Sequence, residues 1–277
     1  MPRFALLLAF GKRELKEAFR NLWFVLFSSA FSVLAVALSW LSLSGAGREG
    51  LASLDRTGAS LTHLVLLIVP LLGLVLGAGS LAGERDRGTL PMLLAQPVSR
   101  AEVLGGKLLG LGGALLGTIG LGFGLAGLLI AWGGGTLGAD SFLLLVALSF
   151  LLAFTALGLG MLISSCARTE GAALGLALFL WLGFVFLGDL GLMGTAVAFQ
   201  TEPGTLFLLA LGNPLEVFRM ATVLSIKGGG ELLGPSGLWA LREWGEALEG
   251  GLIATLFLWA LLPAIISTSV FKKRGIQ

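Results

Sequence analysis

Six stretches of the chain run without one Asp, Glu, Lys or Arg: 21–47, 57–83, 108–139, 141–167, 171–188 and 250–271. A helix rises about 1.5 Å per residue and the hydrocarbon core of a bilayer is about 30 Å thick, so a span needs roughly 20 residues free of unpaired charge. Each run has room for one such helix or nearly so. Alternation at period two, the mark of a membrane barrel, is absent. With 56 % hydrophobic and 12 % charged residues, the sequence predicts an all-α polytopic membrane protein with six transmembrane helices in a single domain, 1–277. The first run, LWFVLFSSAFSVLAVALSWLSL, exceeds a signal-peptide core and lacks a small-residue cleavage site, so it is expected to be retained. The fifth run stops at Asp189, and the apolar LGLMGTAVAF beyond it predicts a kinked or re-entrant segment near 190–200.

An even number of spans puts both termini on one side. With the termini inside, the inner segments hold 13 of the 18 basic residues and 6 acids, and the outer segments hold 5 basic residues and 10 acids. The surplus is +7 inside and −5 outside, which predicts cytoplasmic N and C termini in the inner membrane. The formal net charge, +2, is too small to argue for nucleic acid as a partner.

Residues 1–20 place Phe4, Leu7, Leu8, Leu15, Ala18 and Phe19 broadly on one side of a helix and Lys12, Arg13, Lys16 and Arg20 on another. This is either a helix lying in the membrane interface or an ordinary basic flank. Lys272, Lys273 and Arg274 read as a stop-transfer clamp.

The inner connection 83–107, GERDRGTLPMLLAQPVSRAEVLGGK, holds more than a minimal turn. Glu84, Arg85, Asp86 and Arg87 alternate in sign. Thr89, Leu90 and Pro91 can start a short helix whose apolar surface is Met92, Leu93 and Leu94, with Gln96 and Pro97 ending it. Ser99 and Glu102 stand in the capping-box relation for the third span. Along that span Gly106, Gly110, Gly113, Gly117, Gly120, Gly124 and Gly127 form one stripe at spacings of 3 and 4. Such a stripe admits another backbone closely, either for dense packing or as a sliding surface.

The outer region 189–249 predicts two further helices. Asn213, Pro214 and Glu216 compose a helix start for EVFRMATVLSIK, halted by Gly228-Gly229-Gly230. In GLWALREWGEALEGG, Leu238, Leu241, Trp244, Gly245 and Leu248 share a face. These helices either float at headgroup level or dock an extracytoplasmic partner, with Asn213, Pro214, Glu216 and Arg219 as a candidate surface.

Enzyme chemistry finds no support. One cysteine excludes an internal disulfide, and one histidine excludes a conventional metal site of several His or Cys ligands, so no metal or cofactor is expected in this chain. His63 reads as a neutral polar residue, and Cys166 lacks a thiol partner. The nearest approach to a phosphate-binding loop, AEVLGGKLL, lacks the first Gly and the final Ser/Thr of G-x-x-x-x-G-K-[ST]. Energy must therefore come from outside the chain.

Taken in order, the basic start with RELKEAFRN and 82-AGERDRGTLPMLLAQPVSRAEVLGGK-107 resemble the permease subunits of ABC-2 type exporters, over most of the length. The resemblance implies an ABC-2 (type V exporter-like) permease fold in which 1–20 is the elbow helix. It implies that 83–107 is the cytoplasmic coupling segment seated on a separate ATPase that binds ATP and Mg2+. Glu84, Gly88, Thr89, Leu90, Pro97, Arg100 and Lys107 match its pattern. The spacing around 212-GNPLEVFRM-220 and the terminal basic cluster resemble, more narrowly, the permeases that serve maturation of nitrous oxide reductase, the copper enzyme of denitrification. That resemblance implies a homodimer in the lipid bilayer, two copies of the ATPase inside and an extracytoplasmic repeat protein outside. Scarce Cys, Met and His argue for passage of a sulfur species or transmitted motion rather than copper conduction. A membrane scaffold without cargo, or an exporter of lipid, drug or another small molecule, fits the same residues.

Overall fold

The computed structural model describes residues 3–45, 52–94, 99–132, 139–191, 194–195, 198, 201–225 and 233–274. All secondary structure among them is helical. Helix α1 (Arg3–Ala18), whose side chains are described from Phe10, precedes α2 (Leu22–Gly45). The Asn21 side chain caps α2 by accepting from the backbone N–H groups of Trp23 and Phe24 at 3.0 and 3.3 Å. Then come α3 (Ala52–Asp86), the short α4 (Leu90–Leu94), α5 (Arg100–Trp132), α6 (Ala139–Cys166) and α7 (Glu170–Phe186). Next come α8 (Pro203–Leu211), α9 (Pro214–Ser225) and α10 (Gly234–Trp244), and the last helix is α11 (Ala247–Arg274).

Helices α2, α3, α5, α6 and α11 are long and apolar enough to cross a membrane. The expected span over 171–188 is shorter than the rest: α7 has 17 residues and is continued by a π turn, Leu187–Gly191. Much of the segment 190–200, where a kink or re-entrant turn is expected, lies outside the described residues; among the described residues a sharp break stands at Gly212 and Asn213. There α8 and α9 meet at 111°, as a broken span or a re-entrant loop. The local cause is the sequence Leu-Gly-Asn-Pro, because proline cannot extend α8 but starts α9 well.

Irregular backbone at membrane depth must have its polar groups satisfied by protein. Asn213 does this twice: its Oδ1 accepts from Leu215 N at 3.0 Å, and its Nδ2 donates to the Phe184 carbonyl of α7 at 2.7 Å. The Trp259 indole of α11 donates to the Leu211 carbonyl at 3.0 Å. Thus the reversal is fixed to two neighbouring helices. Phe207, Trp239 and Trp244 pack as a triangle, with centroids 5.0 to 6.3 Å apart, joining α8 to α10. The helix expected to continue through GLWALREWGEALEGG breaks at Gly245, whose φ of +52° suits glycine, so Leu248 belongs to α11.

Helix α3 is the most enclosed span and packs chiefly against α6. A Cβ at Gly73 would lie 2.8 Å from the Ala153 carbonyl, and one at Gly160 would lie 2.5 Å from that of Leu74. The closest approach of two spans is therefore backbone on backbone between α3 and α6, a contact the stripe on the third span did not announce. Helix α1 packs against α5, and α2 against α5 and α3.

Candidate functional site

The end of α3 is a joint. Gly88, at φ +69°, terminates the helix: its N–H donates to the Arg85 carbonyl at 3.1 Å, and that of Thr89 donates to the Glu84 carbonyl at 2.9 Å. These two bonds make a Schellman closure, which needs a left-handed residue at this position. The Thr89 hydroxyl adds a 3.2 Å bond to the same Glu84 carbonyl. Helix α4 follows at once, with Leu90 buried and Met92 76 % exposed. Pro97 lies outside the described residues.

Successive residues on a helix point about 100° apart, so the four charged residues before Gly88 leave α3 in different directions. Glu84 Oε1 accepts from Lys107 Nζ of α5 at 3.0 Å, and Lys107 also donates to Glu14 Oε1 of α1 at 2.8 Å. Arg85 donates to the Ser164 carbonyl at 3.3 Å and to that of Ala167, at the end of α6. Asp86 accepts from the backbone N–H of Glu170 at 3.2 Å, and Arg87 lies 3.7 Å from the Glu170 carboxylate, both at the start of α7. One turn thus holds α1, α5, α6 and α7.

Glu14, Glu84 and Lys107 are all buried. Two carboxylates share one ammonium, Arg13 stands 3.9 Å from Glu84, and Glu84 Oε2 has no hydrogen-bond partner among the described residues. Burial holds the Glu14 carboxyl above the ordinary carboxylate range, against the opposing pull of Lys107. Arg13 is pushed above its ordinary value, first by its hydrogen bond to Glu17.

Ser99 and Glu102 form the expected reciprocal capping box: Ser99 N donates to Glu102 Oε2 at 2.8 Å, and Glu102 N donates to Ser99 Oγ at 3.2 Å. Beside it, Arg100 donates to the Lys272 carbonyl at 2.8 Å and the Phe271 carbonyl at 3.4 Å. The start of α5 is therefore fastened to the end of α11. Ser164 bonds α6 into α3 through the Ala78 carbonyl at 2.7 Å, and Ser165 meets Ser267 of α11 at 2.9 Å. Ser28 and Thr118 join α2 to α5 at 3.1 Å.

The glycine stripe of α5 does not act as one surface. Gly106 and Gly110 lie against Gly11 of α1, and a Cβ at Gly110 would come 2.6 Å from Glu14 Cβ. Gly113 faces Leu15, and Gly127 faces the Phe142 ring. Gly117, Gly120 and Gly124 meet nothing within 4 Å.

The expected outer surface is corrected by burial. Asn213, Pro214 and Glu216 are buried, because they hold the α8–α9 reversal against the π turn. Glu216 pairs with Arg219 at 2.6 Å, and a Cβ at Gly188 would strike the Glu216 carboxylate at 2.5 Å. His63 and Cys166 are exposed. Among the described residues no three His, Cys, Asp or Glu side chains gather as a metal site.

The sequence did not single out Glu14, Arg85 or Glu170 as joint residues. Their common signal, a charge adjoining an apolar run, is also that of an ordinary flank.

Comparison with known proteins agrees with this architecture. The family model described as ABC-2 family transporter protein matches residues 8–276. The chain is 32 % identical over 270 residues to the "Probable ABC transporter permease protein NosY" of Stutzerimonas stutzeri, covering 95 % of this chain and 97 % of that one. It is equally 32 % identical over 272 residues to the protein of the same name from Pseudomonas aeruginosa, covering 96 % and 98 %.

Proposed function

Because the chain belongs to the ABC-2 transporter family, as a permease subunit that works with a separate ABC ATPase, we propose that it serves maturation of nitrous oxide reductase. Two copies form a homodimer with cytoplasmic termini. Two ATPase subunits, which bind ATP and Mg2+, attach inside, and an extracytoplasmic repeat protein attaches outside. The cargo is a sulfur species, or motion alone passed to the outer partner. Support for the biological role is the near-full-length similarity to proteins named NosY.

The observation that carries the mechanism is the radiating joint at Glu84 to Arg87. Closure of the ATPase pair displaces α4, the exposed element beside that joint. Gly88 and Thr89 pass the displacement to α3 without slack, since both are bonded back into its last turn. Glu84 and Lys107 carry it to α5 and, through Glu14, to α1. Arg85 carries it to α6, and Asp86 and Arg87 carry it to α7. Arg100 brings α11 along. Phe184, near the end of α7, and Trp259, midway along α11, hold the α8–α9 reversal, so inner motion reaches it and the outer helices joined to it.

The test is genetic and biochemical together. Cells lacking this chain should accumulate nitrous oxide reductase without competent copper centres, and the wild-type chain should restore them. A variant carrying Glu84→Gln and Arg100→Ala should insert and bind the ATPase yet fail to restore maturation. Normal maturation in the deleted strain would overturn the biological role, and full restoration by the variant would overturn the joint as transmitter.

A further inference from the structure

Between Lys12 and Arg20 the chain carries Lys12, Arg13, Glu14, Lys16, Glu17 and Arg20. Glu14 turns inward onto Lys107, and Glu17 is bonded to Arg13 at 3.0 Å. Both acids are engaged. Lys12, Lys16 and Arg20 remain exposed, with no carboxylate paired to any of them among the described residues. Lys12 and Lys16, four residues apart on α1, lie along one stripe, and Arg20 follows in the turn after Ala18. Gly11, Glu14 and Ala18 are buried on the side of α1 that meets α5, so the stripe looks away from the bundle.

Its neighbours place it at a bilayer surface. Where the chain turns into the first span, Phe19, Leu22 and Trp23 are 51, 70 and 64 % exposed. Aromatic side chains at the mouth of a span sit at headgroup depth, and cations beside them meet lipid phosphate. We propose that Lys12, Lys16 and Arg20, with Phe19 and Trp23 beside them, form a binding surface for anionic phospholipid headgroups. The headgroup phosphate accepts from the two ammonium groups and the guanidinium, while the glycerol and upper acyl chains lie against the aromatic rings. Helix α1 is then held on one side by lipid and on the other by Lys107. This surface is independent of the cargo; only its assignment to the cytoplasmic leaflet rests on the proposed orientation.

The test uses the purified full chain in nanodiscs of equal phosphatidylglycerol and phosphatidylcholine, with retained lipid counted by native mass spectrometry. The wild type should retain phosphatidylglycerol preferentially, by about fivefold for each engaged cation, and high salt should reduce the preference. Lys12→Gln, Lys16→Gln and Arg20→Gln together should abolish it, and Arg242→Gln, at the opposite end, should not. The charge-preserving set Lys12→Arg, Lys16→Arg and Arg20→Lys should keep it. If the triple glutamine variant does not fold, Lys16→Gln alone and the salt dependence of the wild type decide. A wild type without preference, or a preference indifferent to both salt and the glutamine variants, overturns the proposal. So does loss of ATPase copurification in the triple variant with lipid preference intact, which would give the stripe to an acidic protein surface instead.

Discussion

Lys107 Nζ lies 2.8 Å from Glu14 Oε1, joining α5 to α1 across 93 positions of sequence. With Glu84 at 3.0 Å on the same ammonium, this contact joins the end of α3 to the N-terminal helix. Removing the lysine leaves two carboxylates buried together. Lys107→Met should therefore cost about 3–5 kcal/mol in the unfolding of the detergent-solubilised protein. Adding Glu14→Gln and Glu84→Gln to the same variant should recover much of that loss. A single variant as stable as the wild type would show that the three groups are not held as a buried network.

The same network gives a pH dependence of definite sign. The groups facing Glu14 are Lys107 of α5, Glu84 of α3, and Arg13 and Glu17 of its own helix. Its carboxyl is held above the ordinary value, so the folded chain binds that proton more tightly than the unfolded one. The stabilisation is complete below the unfolded value and is lost as pH rises through the folded one. The thermal midpoint of the wild type should accordingly fall as pH rises above the ordinary carboxylate range, and Glu14→Gln should reduce the fall. Parallel profiles for the two proteins would contradict this reading.

Glycines of one stripe should differ sharply. Gly110→Ala puts a methyl against the backbone of α1, where relief requires a helix to move, and should cost about 1–3 kcal/mol. Gly120→Ala enters open space and should leave the single chain as stable or up to about 1 kcal/mol more stable, because alanine is the better helix former. Equal effects at the two positions would show that α1 does not pack against α5 as described.

At the α8–α9 reversal, Asn213→Ala removes both the cap of α9 and the donor to the Phe184 carbonyl. Trp259→Phe keeps most of the ring and removes only the donor to Leu211. Each should cost about 1–3 kcal/mol, the range for a buried carbonyl left unpaired. Unfolding midpoints that do not move would mean that water or lipid headgroups already reach these carbonyls.

Much of this architecture was written in charge-free runs, because a bilayer penalises unpaired charge at every position of a span. The capping box at Ser99 and Glu102 and the helix start at Asn213 and Pro214 were legible because capping is local. The network was not: Glu14 is one acid among several in a basic segment, and no spacing rule reveals a partner 93 positions away. The reversal at Gly212 was missed because neither α8 nor α9 is long enough to span: the start of α9 was legible, but Pro203–Leu211 was not read as a helix. The outward reading of Asn213 and Glu216 failed for a related reason. Polar residues in an outer segment suggest solvent, yet here they satisfy a bend inside the protein.

In the proposed mechanism the ATPase grips the permease on the segment from Glu84 through α4. Met92 of α4 is 76 % exposed and sits next to the joint. A photo-crosslinking amino acid at position 92, in membranes containing the assembled transporter, tests the claim directly. The expected result is a covalent adduct with the ATPase subunit whose yield changes when ATP and Mg2+ are added. Adducts with lipid alone, while the ATPase still copurifies with the same variant, would contradict it.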